Sequence, residues 1–135
     1  MTGEVQTLMP LAARVASASG WDNATRAIML AGKALPLLPP EMRDPQAYVS
    51  GCESDVWVAT IELNGQDTIA GWSPSKIIRG VLSIILEKAN ALDASARASF
   101  DFDHYLTLCG LDRYLSQSRG NGVKKVIDRL RLLNT

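Results

Sequence analysis

Apolar and polar positions along this chain repeat with two different periods, and the change from one to the other separates helical from extended stretches. Val5, Leu8, Met9, Ala12 and Val15 recur at helical spacing, and Gly20 closes the segment. Pro10 falls inside that pattern, so the first helix breaks there or starts after it. A second helix is expected from an N-cap at Asp22, with Ala27, Ile28, Ala31, Ala34 and Leu35 turned inward. The run Leu35-Pro36-Leu37-Leu38-Pro39-Pro40 has to leave the helix, because each proline lacks an N–H and disfavours helix in the residue before it. Gln46 to Asp55 is a polar connection that holds Gly51 and Cys52.

From Asp55 the period drops to two. Trp57, Ala59, Ile61 and Leu63 share one face and Val56, Val58, Thr60 and Glu62 the other, the pattern of a strand with one well-buried face. Asn64-Gly65 signals a hairpin, with the return strand near Asp67 to Trp72. A two-residue loop sets Glu62 opposite Asp67, two like charges. A three-residue loop pairs Ile61 with Ile69 and is favoured for that reason. Ser73-Pro74 reads as a helix start with Ser73 as N-cap. Ile77, Ile78, Val81, Leu82 and Ile85 form an apolar stripe that Ile84 and Leu86 widen, so this helix is central. Phe102, Tyr105, Leu106 and Cys109 indicate another helix closed by Gly110. The last helix follows Ser118, with Val123, Val126, Ile127 and Leu130 inward and Lys124, Lys125, Asp128, Arg129 and Arg131 mostly on the solvated side. Several helices backing a small antiparallel sheet make an α+β fold.

Composition narrows the class. The 135 residues make a single domain over 1–135 with no room for a second core. Fourteen Lys and Arg balance 14 Asp and Glu, which leaves no electrostatic footprint for nucleic acid or an anionic membrane. Arg79 interrupts the most apolar stretch, Ile77 to Leu86, which is too short to span a bilayer. No basic residue precedes Arg14, so a secretory n-region is missing, and a cytoplasmic protein with reduced thiols is expected. Two cysteines and one histidine cannot fill a Cys/His structural zinc site without carboxylates, and no metal is expected.

Chemistry then rests on few residues. Cys52 follows Gly51 in a loop just before a strand, where a thiol can be presented to another molecule. Glu53 and Asp55 lie close by and Arg43 is the nearest upstream cation, so nothing local favours a thiolate. Cys52 is either a functional thiol that needs a partner's help or a small buried residue. Cys109 sits at an apolar helix end and reads as core. His104 could pair with Cys52 in an acyl-transfer site, or be a surface histidine beside Asp101 and Asp103. A metal or cluster site from Cys52, Cys109, His104 and an acid has no ligand-pair spacing behind it. Gly120-Asn121-Gly122 is a turn or a helix entry, and Arg119 beside it is a surface charge or a group directed at another loop.

Four ordered strings, spread from about Trp21 to Arg131, resemble one family, the SufE/CsdE proteins. Gly32-Lys33-Ala34-Leu35-Pro36-Leu37-Leu38-Pro39 is similar to the family's G-K-x-L-P-x-L-P segment. Val49 through Trp57 resembles its V-x-G-C-x-S-x-V-W loop. Gly71, Ser73 and Ile77-Ile78-Arg79-Gly80-Val81-Leu82 match its G-x-S and I-V-R-G-L helix. Leu115 through Gly122 resembles its L-S-P-S-R-x-N-G segment. The resemblance implies helices around a small antiparallel sheet, related to the cluster scaffold IscU. It also implies a sulfur acceptor for iron–sulfur cluster assembly that stimulates its donor and is not itself an enzyme. Cys52 matches the family's persulfide cysteine, and Gly51, Glu53, Ser54 and Arg119 are loop or partner-contact candidates. The implied donor is a pyridoxal-phosphate cysteine desulfurase, SufS- or CsdA-like, and the recipient a SufBCD-like scaffold complex; the chain itself needs no cofactor. Trp72 and Pro74 depart from the family's usual acidic residues. Glu53 is closer to the CsdE branch and Ser54 to the SufE branch, so the partner is not assigned.

Overall fold

Pro10 starts the first helix and does not interrupt it. A first turn has no use for the missing N–H, and α1 runs over Pro10–Ser17. The computed structural model describes residues 8–50, 54–114 and 117–133, with the backbone alone for 117–121. Leu11 N–H donates to both carboxylate oxygens of Glu87, at 3.1 and 3.3 Å. A distant carboxylate thus caps α1 and meets the positive end of its dipole. Burial raises the Glu87 pKa above the usual carboxylate value, although the backbone N–H groups of Leu11 and Ala12 pull it the other way.

The second helix, α2 (Trp21–Ala31), begins one turn-step earlier than expected. Gly20, at φ 85°, is its N-cap, and Asp22 lies in the first turn, where its charge still suits the dipole. Ala24, Ile28, Ala31 and Leu35 are buried. Ala34 is exposed, contrary to expectation, because the chain tightens into a 3-10 turn at Gly32–Ala34 and its phase shifts.

The hairpin also corrects the sequence expectation. β1 (Trp57–Leu63) and β2 (Gln66–Trp72) are joined by a two-residue loop, with Glu62 opposite Asp67 and Ile61 opposite Thr68. Asn64 and Gly65 both have positive φ, 53° and 80°, the geometry whose twist matches the strands. Both carboxylates are exposed, so water weakens their repulsion below what the turn contributes. Glu62→Lys is therefore expected to stabilise the protein by roughly 0.2–1 kcal/mol. The gain in urea midpoint should shrink in 1 M salt, and a salt-independent loss of stability would contradict this register.

Both faces of the hairpin are covered. Val56, Val58 and Ile69 enter the main core, while Trp57, Ala59, Ile61 and Trp72 pack with Leu38, Ala47 and Ala70 in a second, smaller cluster. Val56 and Val58, each 1% exposed, are the better-buried side. The outer edge of β2 is covered too. Gly71 N–H donates to Pro36 C=O (2.9 Å) and its C=O accepts from Leu38 N–H (3.1 Å), while the Asn90 amide bonds Ile69 N–H and C=O. The proline-rich run thus supplies a short parallel partner to the edge of β2.

The apolar stripe after the hairpin becomes α3 (Lys76–Asn90), buried along most of its length as expected. Its cap is Ser75, whose Oγ accepts from Ile78 N–H at 3.2 Å. Ser73, expected in that role, is fully buried and accepts from Ser75 N–H. α2 packs against α3 so closely that a Cβ on Gly80 would overlap the Ile28 carbonyl oxygen. The short α4 (Ala94–Ser99), capped by Asp93, has no apolar stripe and is not foreseen by periodicity. α5 (Phe102–Leu108) ends at Gly110, φ 80°, as expected. A 3-10 turn at Leu111–Tyr114 leads into α6 (Gln117–Leu132), so Gly120-Asn121-Gly122 lies inside the helix.

Buried Arg97 closes the far end of the molecule. Its guanidinium donates to Leu130, Leu133 and Leu92 C=O at 3.1–3.3 Å and to Ala89 C=O at 3.5 Å, serving the ends of α3 and α6 together. The architecture is α+β, as the pattern implied: six α-helices among the described residues, around one antiparallel hairpin.

Candidate functional site

The loop that carries the candidate thiol is gripped from both sides at its base. Asp44 folds the chain before it: its C=O accepts from Ala47 and Tyr48 N–H, and its Oδ1 accepts from Ala47 N–H at 3.0 Å. Residues 47–49 then lie antiparallel to the start of β1. Val49 N–H donates to Val56 C=O (2.8 Å) and Val58 N–H to Ala47 C=O (2.9 Å). These two bonds pair the chain on either side of residues 50–55 as a short antiparallel ladder. Val49 and Val56 anchor it in the main core, at 3% and 1% exposure. Outside the core, Tyr48 Oη donates to Asp55 Oδ1 (3.0 Å) and the Tyr48 ring meets Trp57 edge-on at 5.6 Å. Ser54 is half-buried in a bend just before Asp55. Gly51, Cys52 and Glu53 lie outside the described residues, and so does the side chain of Arg119, whose backbone belongs to α6.

One contributor escaped the sequence reading. Arg129, assigned there to the solvated side of α6, is half-buried and reaches the loop base. Its Nη2 donates to Tyr48 C=O at 3.0 Å, and its Nη1 lies 3.3–3.4 Å from the carbonyls of Gln46, Ala47 and Val58. A planar fork of five donors suits several converging carbonyls. It also brings a positive charge to the paired segments on either side of residues 50–55. The only available signal was spacing: Arg129 flanks the inward positions Val126, Ile127 and Leu130. Arg129→Met is expected to loosen the loop by removing this grip, with faster amide exchange at Val49 and Val58 and a stability loss of about 1–3 kcal/mol. Unchanged exchange at both amides would refute the clamp.

The other candidates separate by environment. Cys109 is 1% exposed, donates weakly to Leu106 C=O at 3.4 Å, and has its pKa pushed up to about 11 by burial. It is a core thiol, as its apolar surroundings implied. His104 is exposed in the first turn of α5, its N–H held by the Asp101 carboxylate. Among the described residues no three metal-ligating side chains converge, and no helix is long and apolar enough to cross a membrane. Trp72, the family departure, is stacked by two guanidinium groups: Arg43 at 4.2 Å and Arg79 at 4.7 Å from the ring centroid.

Parts of three of the four strings meet in this fold. The proline-rich run joins Gly71, where a Cβ would come within 3.0 Å of the Trp57 carbonyl, and Gly80 admits α2 onto α3. The chain belongs to the SufE family: the family model, described as SufE, an Fe-S metabolism associated domain, matches residues 10–133. An uncharacterised SufE-like protein of Rhizobium etli is 33% identical over 115 residues, covering 82% of this chain and 78% of that protein. The sulfur acceptor protein CsdE of Escherichia coli is 31% identical over 114 residues, covering 82% of this chain and 76% of that protein. A SufE-like protein of Haemophilus influenzae is 27% identical over 117 residues, with 86% and 93% covered.

Proposed function

We propose that this protein accepts sulfur from a pyridoxal-phosphate cysteine desulfurase onto Cys52, stimulates that enzyme and passes the sulfur on for iron–sulfur cluster assembly. Membership of the SufE family, with Cys52 in the string Val49 to Trp57 that resembles the family's cysteine-bearing loop, carries the reading. The name of the Escherichia coli relative, a sulfur acceptor protein, points the same way.

In the proposed step the Cys52 thiolate attacks the outer sulfur of a persulfide on the donor. One S–S bond forms on Cys52 as the donor's S–S bond breaks, and the donor's inner sulfur leaves as a thiolate. No electrons are gained or lost overall. Such exchange depends on thiolate fraction, leaving group and access. The role assigned to the protein is to hold the loop by its base while leaving the thiol to be completed by the partner. A persulfide oxidises readily, so the free carrier would turn Cys52 inward, toward Trp57 and the Leu35 to Leu38 segment. Leu35 and Leu38 are buried and Trp57 half-buried near the loop base. Arg119 is kept as a loop-contact candidate, and a SufBCD-like complex in the cytoplasm as the recipient.

The test is intact mass and mapped modification after incubation with desulfurase and cysteine. One added sulfur on Cys52 supports the reading; sulfur on Cys109, or none, overturns it.

A further inference from the structure

The formal charge of the chain is zero, yet its cations are not spread evenly. A groove of about 660 Å³ runs along α2 and opens at the start of α3. Arg26, Lys33, Lys76 and Arg79 line it against a single acid, Asp22, so its walls carry a net +3 by four cations less one anion. Its remaining wall is apolar. Six large apolar side chains are exposed among the described residues, and three of them, Trp21, Met29 and Leu30, line this groove.

Arg79 ties the groove to the loop end of the hairpin. Its guanidinium stacks on Trp72, and Trp72 pairs with Trp57, five residues after Cys52 in the sequence. Among the described residues no carboxylate pairs with Arg79, and its Nε is buried without a hydrogen-bond partner. Thr25 Oγ1, in the same groove, is buried and unpartnered as well. Stacking thus positions the Arg79 charge while its hydrogen-bonding capacity is unspent.

We infer that this groove is the docking surface for an acidic, amphipathic segment of the sulfur donor, with apolar positions on Met29 and Leu30 and carboxylates on Lys33, Lys76 and Arg79. Charge complementarity selects the sign of the occupant. Size selects a polypeptide over a small anion: the 11 residues of α2 make a wall about 16 Å long at 1.5 Å per residue. An apolar wall beside cations suits a helix or strand with one acidic and one apolar face. The partner's identity as a desulfurase rests on the function proposed above; the chemistry of the groove does not.

Lys33 and Lys76 are exposed, so Lys33→Glu with Lys76→Glu tests the surface without disturbing the core. Binding of the desulfurase is measured by calorimetry across a salt series. In parallel, sulfur uptake by Cys52 is measured with inorganic polysulfide as a desulfurase-free donor. The double variant is expected to bind at least tenfold more weakly, with a flatter salt dependence, and to take sulfur from polysulfide as the wild type does. Equal affinity and equal salt slope, with Cys52 of the wild type still loaded by the enzyme, overturn the groove and leave the sulfur reading standing. A wild type that neither binds nor is loaded by the desulfurase overturns both. Inorganic phosphate shifting the Arg79 and Lys33 resonances and competing with the enzyme would reassign the groove to a small anion. A concentration-dependent dimer lost in the double variant would reassign it to a second copy of this chain.

Discussion

Cys52→Ser is expected to abolish sulfane-sulfur uptake from desulfurase and cysteine while leaving the thermal unfolding curve within a degree or so of wild type. Serine keeps the shape of the side chain but its hydroxyl cannot hold a persulfide. The matching variant, Cys109→Ala, is expected to keep full uptake and lose about 1 kcal/mol of stability through a small cavity. The contrast follows from burial. With its pKa near 11, Cys109 is thiolate in about one molecule in a thousand at pH 8, and its sulfur is 1% exposed in residue terms. Uptake should be read at pH 8 for the same reason. An acid whose folded pKa lies above its ordinary 9.0 contributes stability that is complete below pH 9 and fades as pH rises through 11. Loss of uptake in Cys109→Ala with retention in Cys52→Ser would reverse the assignment.

Gly80→Ala is expected to be the most damaging of the glycine-to-alanine changes at Gly20, Gly32, Gly65, Gly71, Gly80 and Gly110, costing about 3 kcal/mol or more. The new Cβ would overlap the Ile28 carbonyl oxygen and sit 2.6 Å from Ile28 Cγ2. Backbone is the obstacle, so no rotamer change can relieve it, and α2 has to move off α3. That separation opens the core along Ile28, Val81 and Leu82. The gain in helix propensity, roughly 1 kcal/mol, does not offset this. Gly32→Ala supplies the scale: its Cβ would meet Gly80 N at 3.2 Å and Arg79 Cβ at 3.3 Å, contacts that a shift of a few tenths of an ångström relieves. Urea denaturation should order the proteins wild type, Gly32→Ala, Gly80→Ala. A Gly80→Ala midpoint equal to wild type would show that the helices do not cross this closely.

The sequence reading succeeded where one physical signal was strong and local. The α3 stripe follows from side-chain period, and Gly110 from the need for positive φ. It failed where two local signals competed. Like charges at Glu62 and Asp67 argued against the two-residue turn, but their repulsion in water is smaller than the preference of Asn64-Gly65 for positive φ. It failed again at helix starts, where Gly20 and Ser75 displaced Asp22 and Ser73 by two residues each. Cys52 was singled out because four strings kept their order along the chain, and its own segment lies outside the described residues.

By itself the sequence determined which segments are helical or extended and where the chain must turn. These depend on neighbours within a few residues, so they can be read in one dimension. Only the tertiary structure decided that Arg129 would hold the loop's carbonyls, that Arg97 would close two helix ends, and that Arg43 and Arg79 would stack on Trp72. Each joins a long cationic side chain to groups from a distant part of the chain. On paper such residues look like surface charge, and only folding supplies their partners.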